Sequence, residues 1–133
     1  MKKVLVTGAT GFIGLHCIHQ LLEGGYAVRG TLRSQSRAKE VLDGLANTGV
    51  DTSNLELVEA DLLKDDGWED AMAGCDFVLH VASPFIIGMP KHENDLIRPA
   101  VEGTERVLSA AIAKKIKKVV LTSSCAAIVD TFD

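Results

Sequence analysis

The chain has 133 residues and a formal net charge of −4 at pH 7, with 47% hydrophobic and 24% charged residues. That length fits one domain, 1–133, and those fractions exclude disorder, collagen and coiled coil as overall descriptions. The mild acidity argues against nucleic acid as a partner, and no apolar run approaches the ~20 residues that span a bilayer.

Met1-Lys2-Lys3 leads at once into a short apolar run that ends in glycines, so the N-terminus does not read as a secretory signal. The first predicted strand is Lys3–Thr7. It runs directly into Thr7-Gly8-Ala9-Thr10-Gly11-Phe12-Ile13-Gly14 and then an apolar-periodic helix. A second strand, Ala27–Leu32, precedes a helix whose Ala38, Val41, Leu42, Leu45 and Ala46 form one apolar stripe. A loop over 46–54 leads to a third strand, Leu55–Glu59. The third helix is short, with Asp65 or Asp66 to cap it and Gly74 to end it. The fourth strand is Phe77–Ala82, followed by a loop over 83–92. The fourth helix carries an apolar stripe at Ile97, Val101, Thr104, Leu108 and Ala111, widened by Ala100, Val107 and Ile112. Pro99 falls within it, so this helix starts or bends there. The last strand is Lys118–Ser123.

These strands lack polar alternation; Val4-Leu5-Val6 and Phe77-Val78-Leu79 are apolar on both faces. Strands buried on both faces belong to parallel sheets covered by helices. The alternation of strands and helices therefore predicts an α/β fold, a doubly wound parallel (Rossmann) sheet in the order 3-2-1-4-5. Its crevice lies at the carboxyl ends of strands 1 and 4.

The glycine loop carries the chemistry. Gly8 permits a tight turn off the strand, Gly11 a close backbone approach to a pyrophosphate, and Gly14 close packing of helix on strand. The helix N-terminus adds free N–H groups and a partial positive charge. Gly8, Ala9, Thr10, Gly11, Phe12, Ile13 and Gly14 are thus candidate cofactor contacts; the alternative is a tight turn without a ligand. At the end of strand 2, where an NAD site places an acid for the ribose diol, the sequence has Leu32 and then Arg33. A guanidinium suits a 2′-phosphate, so the sequence favours NADP(H) over NAD(H). Arg33 and Lys39 are therefore candidate cofactor contacts, with Arg37 between them; Arg33 could instead be a solvated loop charge, and Arg37 and Lys39 could equally be the exposed face of helix 2.

The string TGATGFIG resembles the cofactor loop of the extended short-chain dehydrogenase/reductase superfamily. Asp61-Leu62 after strand 3, His80-Val81-Ala82-Ser83-Pro84 after strand 4, Pro99-Ala100-Val101-Glu102-Gly103-Thr104 in helix 4 and Leu121-Thr122-Ser123-Ser124 ending strand 5 extend the likeness over essentially the whole chain. The set is similar to the branch of dihydroflavonol reductases, cinnamoyl-CoA reductases and related aldehyde or ketone reductases. The resemblance implies that Asp61 bonds the adenine amino group beside the Leu62 backbone; otherwise Asp61 caps the next turn. It implies that Val81, Ala82, Ser83 and Pro84 pass beneath the cofactor. It also implies that Ser124 holds the substrate oxygen and that Ser123 is the runner-up, able to contact cofactor; both could simply terminate a strand. Glu40 departs from the basic character of this loop in plant relatives.

The resemblance further implies a Tyr-x-x-x-Lys proton donor, and none occurs; the only tyrosine is Tyr26. The expectation is the N-terminal part of a longer reductase acting on a small carbonyl substrate, with little or no turnover by itself. Its last strand would be an apolar edge open to self-association. A non-catalytic NADP-binding module and a sugar-nucleotide epimerase or dehydratase are the alternatives. Three cysteines, Cys17, Cys75 and Cys125, lack metal spacing and suit a reducing cytoplasm. His16 and His19 read as a helix surface, His80 as sheet packing, Trp68 as packing under helix 3, and Lys114 to Lys118 as a solvated helix end.

Overall fold

The structure, a computed structural model, describes residues 1–84 and 89–129. The middle of the 83–92 loop and the four C-terminal residues lie outside them. Five strands form one parallel sheet in the order β3-β2-β1-β4-β5, as the alternation of elements predicts. The elements are β1 (Lys3–Val6), α1 (Phe12–Glu23), β2 (Ala27–Leu32), α2 (Ala38–Ala46), β3 (Leu55–Glu59), α3 (Trp68–Met72), β4 (Phe77–His80), α4 (Asn94–Ala113) and β5 (Lys118–Leu121). Short 3₁₀ turns at Gln35–Arg37 and Cys125–Ala127 follow β2 and β5.

Side chains alternate across the strands, so β1 serves two cores. Val4 and Val6 join Val28, Ile18, Val41 and Leu45 under α1 and α2. Leu5 joins Val78, Trp68, Met72 and Val107 under α3 and α4. Full burial of each such aliphatic side chain contributes about 1.5–3 kcal/mol. Arg29 leaves the second core by a polar route. Its guanidinium donates to the Ala71 and Ala73 carbonyls at 2.8 and 2.7 Å, closing the carboxyl end of α3, and pairs with Glu56 at 2.7 Å.

Several boundaries differ from the expectations. β4 ends at His80 and β5 at Leu121, two residues early in each case. Beyond β4 the Val81 and Ala82 N–H groups turn to the Thr7 hydroxyl, whereas beyond β5 the Thr122 N–H still reaches β4, at the His80 carbonyl. Neither Asp65 nor Asp66 caps α3; Gly67 stands there at φ +87° with no side-chain cap. Gly74, at φ +76°, follows the last turn as expected. α4 begins at Asn94, so Pro99 lies inside it. One missing N–H within the second turn costs a single helical bond, and the flanking turns hold the helix. The stripe read on α4 is only partly core. Val107 and Ala111 are buried, with Gly103 and Ala110 beside them, whereas Ile97, Val101, Leu108 and Ile112 are exposed. Close approach selects that face: a Cβ on Gly103 would stand 3.2 Å from Leu62 Cβ. Gly103, Val107, Ala110 and Ala111 therefore face the core, and Ile97, Val101, Leu108 and Ile112 are turned outward.

Candidate functional site

The strand order reverses at β1, which neighbours β2 on one side and β4 on the other. A cleft of about 660 Å³ opens at the carboxyl ends of these strands. That volume is in the range of small-molecule and cofactor sites.

The glycine turn forms one wall. Gly8 has φ +77°, a left-handed conformation that disfavours any Cβ, and a Cβ there would also meet Ala82 Cβ at 3.0 Å. At Gly14 a Cβ would stand 2.1 Å from the Gly8 carbonyl oxygen, so no side chain fits. α1 starts after Gly11, without a side-chain cap or an acidic first turn. Its first N–H groups therefore remain for an anion at the positive end of the helix. Gly8, Thr10, Gly11, Phe12, Ile13 and Gly14 all line the cleft. Ala9 does not: it is fully buried, its N–H bonds Thr31 O at 2.8 Å, and its methyl packs under Gly30.

The second wall comes from the ends of β2 and β3. Leu32 and Arg33 line it, and no carboxylate occupies the Leu32 position. Three cations follow β2, and they differ in their partners. Arg37 pairs with Glu40 at 3.0 Å, which holds the Glu40 carboxyl below its ordinary range through a hydrogen bond. Lys39 pairs with Asp43 and does not line the cleft. Arg33 is exposed at the cleft mouth and has no ion pair or hydrogen bond among the described residues. Asp61 and Leu62 line the cleft as well. The Asp61 carboxylate accepts the Leu63 N–H at 2.9 Å, so it caps the turn as the local reading allowed.

The third wall is the backbone leaving β4. Val81, Ala82, Ser83 and Pro84 pass along the cleft. They are held by a residue that the sequence reading left without a role. Thr7 is fully buried, and its hydroxyl oxygen accepts the Val81 and Ala82 N–H groups at 3.0 and 2.9 Å. The same oxygen is 2.9 Å from His80 Nδ1. No local signal marks this contact, because Thr7 and His80 are 73 positions apart. Burial lowers the His80 pKa below its ordinary value.

Ser123 and Ser124 do not line the cleft. Ser124 caps the last 3₁₀ turn by accepting the Ala126 N–H at 3.1 Å. Among the described residues no cluster of metal-binding side chains occurs, and no helix is long and apolar enough to cross a membrane. His16 stacks edge-on against Phe12, and His19 lies beside Glu23. The turn that excludes a Cβ, the uncapped helix start and the unpartnered arginine together fit a dinucleotide with an added phosphate.

Comparison with known proteins gives a consistent picture. Residues 4–131 match the model of the NAD dependent epimerase/dehydratase family. The ketoreductase azaE of Aspergillus niger is 40% identical over 133 residues, covering 96% of this chain and 39% of that protein. A dihydroflavonol 4-reductase of Callistephus chinensis is 43% identical over 122 residues, covering 91% of this chain and 33% of that protein. Among solved structures, yeast methylglyoxal/isovaleraldehyde reductase Gre2 complexed with NADPH superposes with a TM-score of 0.81 at 33% identity, over 96% of this chain and 39% of that one. This chain thus spans 33–39% of the length of these relatives.

Proposed function

The chain belongs to the NAD dependent epimerase/dehydratase family, and from that premise we propose that it forms the NADP(H)-binding part of a reductase acting on a small carbonyl compound. The observation that carries the cofactor choice is Arg33, a guanidinium at the cleft mouth with no partner among the described residues, beside a leucine where NAD sites keep an acid. The names of the relatives, a ketoreductase and a dihydroflavonol reductase, and the NADPH in the yeast structure, support the reading.

In this reading the glycine turn and the start of α1 receive the diphosphate. Arg33 binds the 2′-phosphate through charge-assisted hydrogen bonds, without breaking an existing pair. Asp61 and the Leu62 backbone face the adenine, and Val81 to Ser83 lie beneath the nicotinamide ribose. NADPH, when bound, supplies the hydride that reduces a ketone or aldehyde. Ser124 is the proposed holder of the carbonyl oxygen. Tyr26 precedes β2 at the opposite end of the sheet from the cleft, so it is not the proton donor. These 133 residues therefore bind cofactor with little turnover of their own. A second copy would pair along the outer side of β5, which among the described residues pairs only with β4.

The reading is tested by calorimetric titration of the folded chain with NADPH and with NADH. Tighter binding of NADPH is expected. A folded sample that takes up neither coenzyme would overturn it.

A further inference from the structure

The buried hydroxyl of Thr7 has a fixed hydrogen-bond arithmetic. A threonine hydroxyl offers one donor and two acceptor lone pairs. Both lone pairs are taken, by the Val81 and Ala82 N–H groups at 3.0 and 2.9 Å. Its single hydrogen is left for His80 Nδ1, 2.9 Å away. Nδ1 must therefore be an acceptor, which makes His80 the neutral tautomer with its proton on Nε2. The arrangement joins three pieces of backbone: the end of β1, the end of β4 and the stretch that lines the cleft. β5 adds a fourth, since the Thr122 N–H donates to the His80 carbonyl at 3.1 Å.

From this geometry we infer that Thr7 and His80 are positioning residues for the cofactor: a proton-sensitive latch that holds Val81–Ser83 against the glycine turn and loosens when His80 becomes an imidazolium. The reason is a clash of donors. A protonated His80 presents N–H at Nδ1 toward an oxygen whose own hydrogen points the same way. The hydroxyl must then rotate and release one of its two backbone partners. Ala82 is the point where this reaches the cleft, because its methyl already lies where a Gly8 Cβ would meet it at 3.0 Å.

The charges around the imidazole do not change this picture. β1 and β5 carry their lysines, Lys3 and Lys118, at the opposite end of the sheet. α4 carries Glu102, paired with Arg98, and Arg106, paired with Asp65. Asp61, after β3, caps its own turn. Burial is the cause of the His80 shift.

The inference rests on the NADP(H) reading, and its test keeps the two apart. NADPH affinity is measured at pH 7.5 and at an acidic pH where nitrogen-15 NMR shows His80 of the folded wild type protonated, for the wild-type chain and for His80→Asn, whose amide oxygen can accept the Thr7 hydrogen but cannot take up a proton. The 2′-phosphate itself gains a proton near pH 6, but equally in both proteins. The wild type is expected to lose more affinity than the variant as His80 takes up its proton, with the loss following the His80 protonation read by nitrogen-15 NMR. Equal losses in both proteins would overturn the latch while leaving the cofactor reading intact. No NADPH binding by the folded wild type at either pH would overturn both. Thr7→Ser should retain neutral-pH affinity and Thr7→Val should lose it; equal affinities for these two would also overturn the latch. Nitrogen-15 NMR of histidine-labelled wild type needs no variant: it should show His80 with an unprotonated Nδ1, and a proton on Nδ1 at neutral pH would refute the assignment.

Discussion

Gly14 and Arg33 show two ways in which one residue controls the cleft. Gly14 acts by what it lacks. Gly14→Ala would press a methyl to 2.1 Å from the Gly8 carbonyl oxygen, so the turn must move. The expected result is a loss of at least the ~1–3 kcal/mol typical of overpacking, read by urea denaturation, together with lost NADPH binding. Arg33 acts by being available. Arg33→Ala should weaken NADPH by ~1.5–3 kcal/mol, the range for hydrogen bonds to charged groups, and leave NADH nearly unchanged. Equal weakening of the two coenzymes, measured by calorimetry, would remove its phosphate role. Both residues were legible in the sequence, because a glycine triplet between strand and helix, and a missing acid after strand 2, are local patterns. Thr7 and His80 were not. Their roles arise only when β1 and β4 become neighbours, and no sequence window contains both. Lys39 shows the converse: its position in the sequence suggests a phosphate contact, but one helical turn away Asp43 already pairs with it.

The elements were easier to read than their edges. Short apolar runs located the strands, most clearly β1 and β4, because parallel strands covered by helices are apolar on both sides, whereas the edge strand β3 keeps Glu56 and Glu59 exposed. The ends of β4 and β5 read too long from the sequence because Val81, Ala82 and Thr122 remain apolar or β-branched, although the Val81 and Ala82 N–H groups turn to the Thr7 hydroxyl and the Thr122 N–H already bonds the last residue of β4, at the His80 carbonyl. α4 gives the most instructive difference. An apolar stripe by periodicity says which residues share a side, but not which side meets the sheet. Here the small residues decide, since they let the helix approach Leu62. Two substitutions on this helix check the assignment. Val107→Ala should cost about 2 kcal/mol by urea denaturation, because that side chain is fully buried. Ile112→Ala, at a position 80% exposed, should change stability by less than about 0.5 kcal/mol. A reversed order would mean that the helix packs by its other face.

For the molecule as a whole, acid should act in two separate windows. The pKa of His80 is lowered by burial, so the unfolded chain binds that proton more readily than the folded one. Its contribution to stability is complete above the ordinary histidine value of about 6.5 and shrinks as pH falls from there toward the folded value. Glu56 and Asp76 are also lowered, chiefly by hydrogen bonds from Lys3. Their contributions are intact above the ordinary carboxylate values and are lost only at lower pH. A urea midpoint that falls between pH 7.5 and 5.0 in the wild type, and stays level in His80→Asn, is the expected signature. The β5 edge makes a different whole-molecule prediction. Val120 and Leu121 are half exposed beside unpaired backbone. Sedimentation velocity should show association that grows with concentration and is abolished by Val120→Lys; a concentration-independent monomer would dismiss it.

The strand order also sets a timetable. The central strand is made first, yet Lys3 waits for Asp76 and Thr7 waits for His80, 73 positions later in both cases. On a ribosome adding about 5–20 residues per second, that interval lasts roughly 4–15 s. Throughout it, the earliest segment emerges with one flank of its backbone unmatched. The cleft is walled by both the glycine turn and Val81–Pro84, so it cannot be complete until the chain has been made through β4.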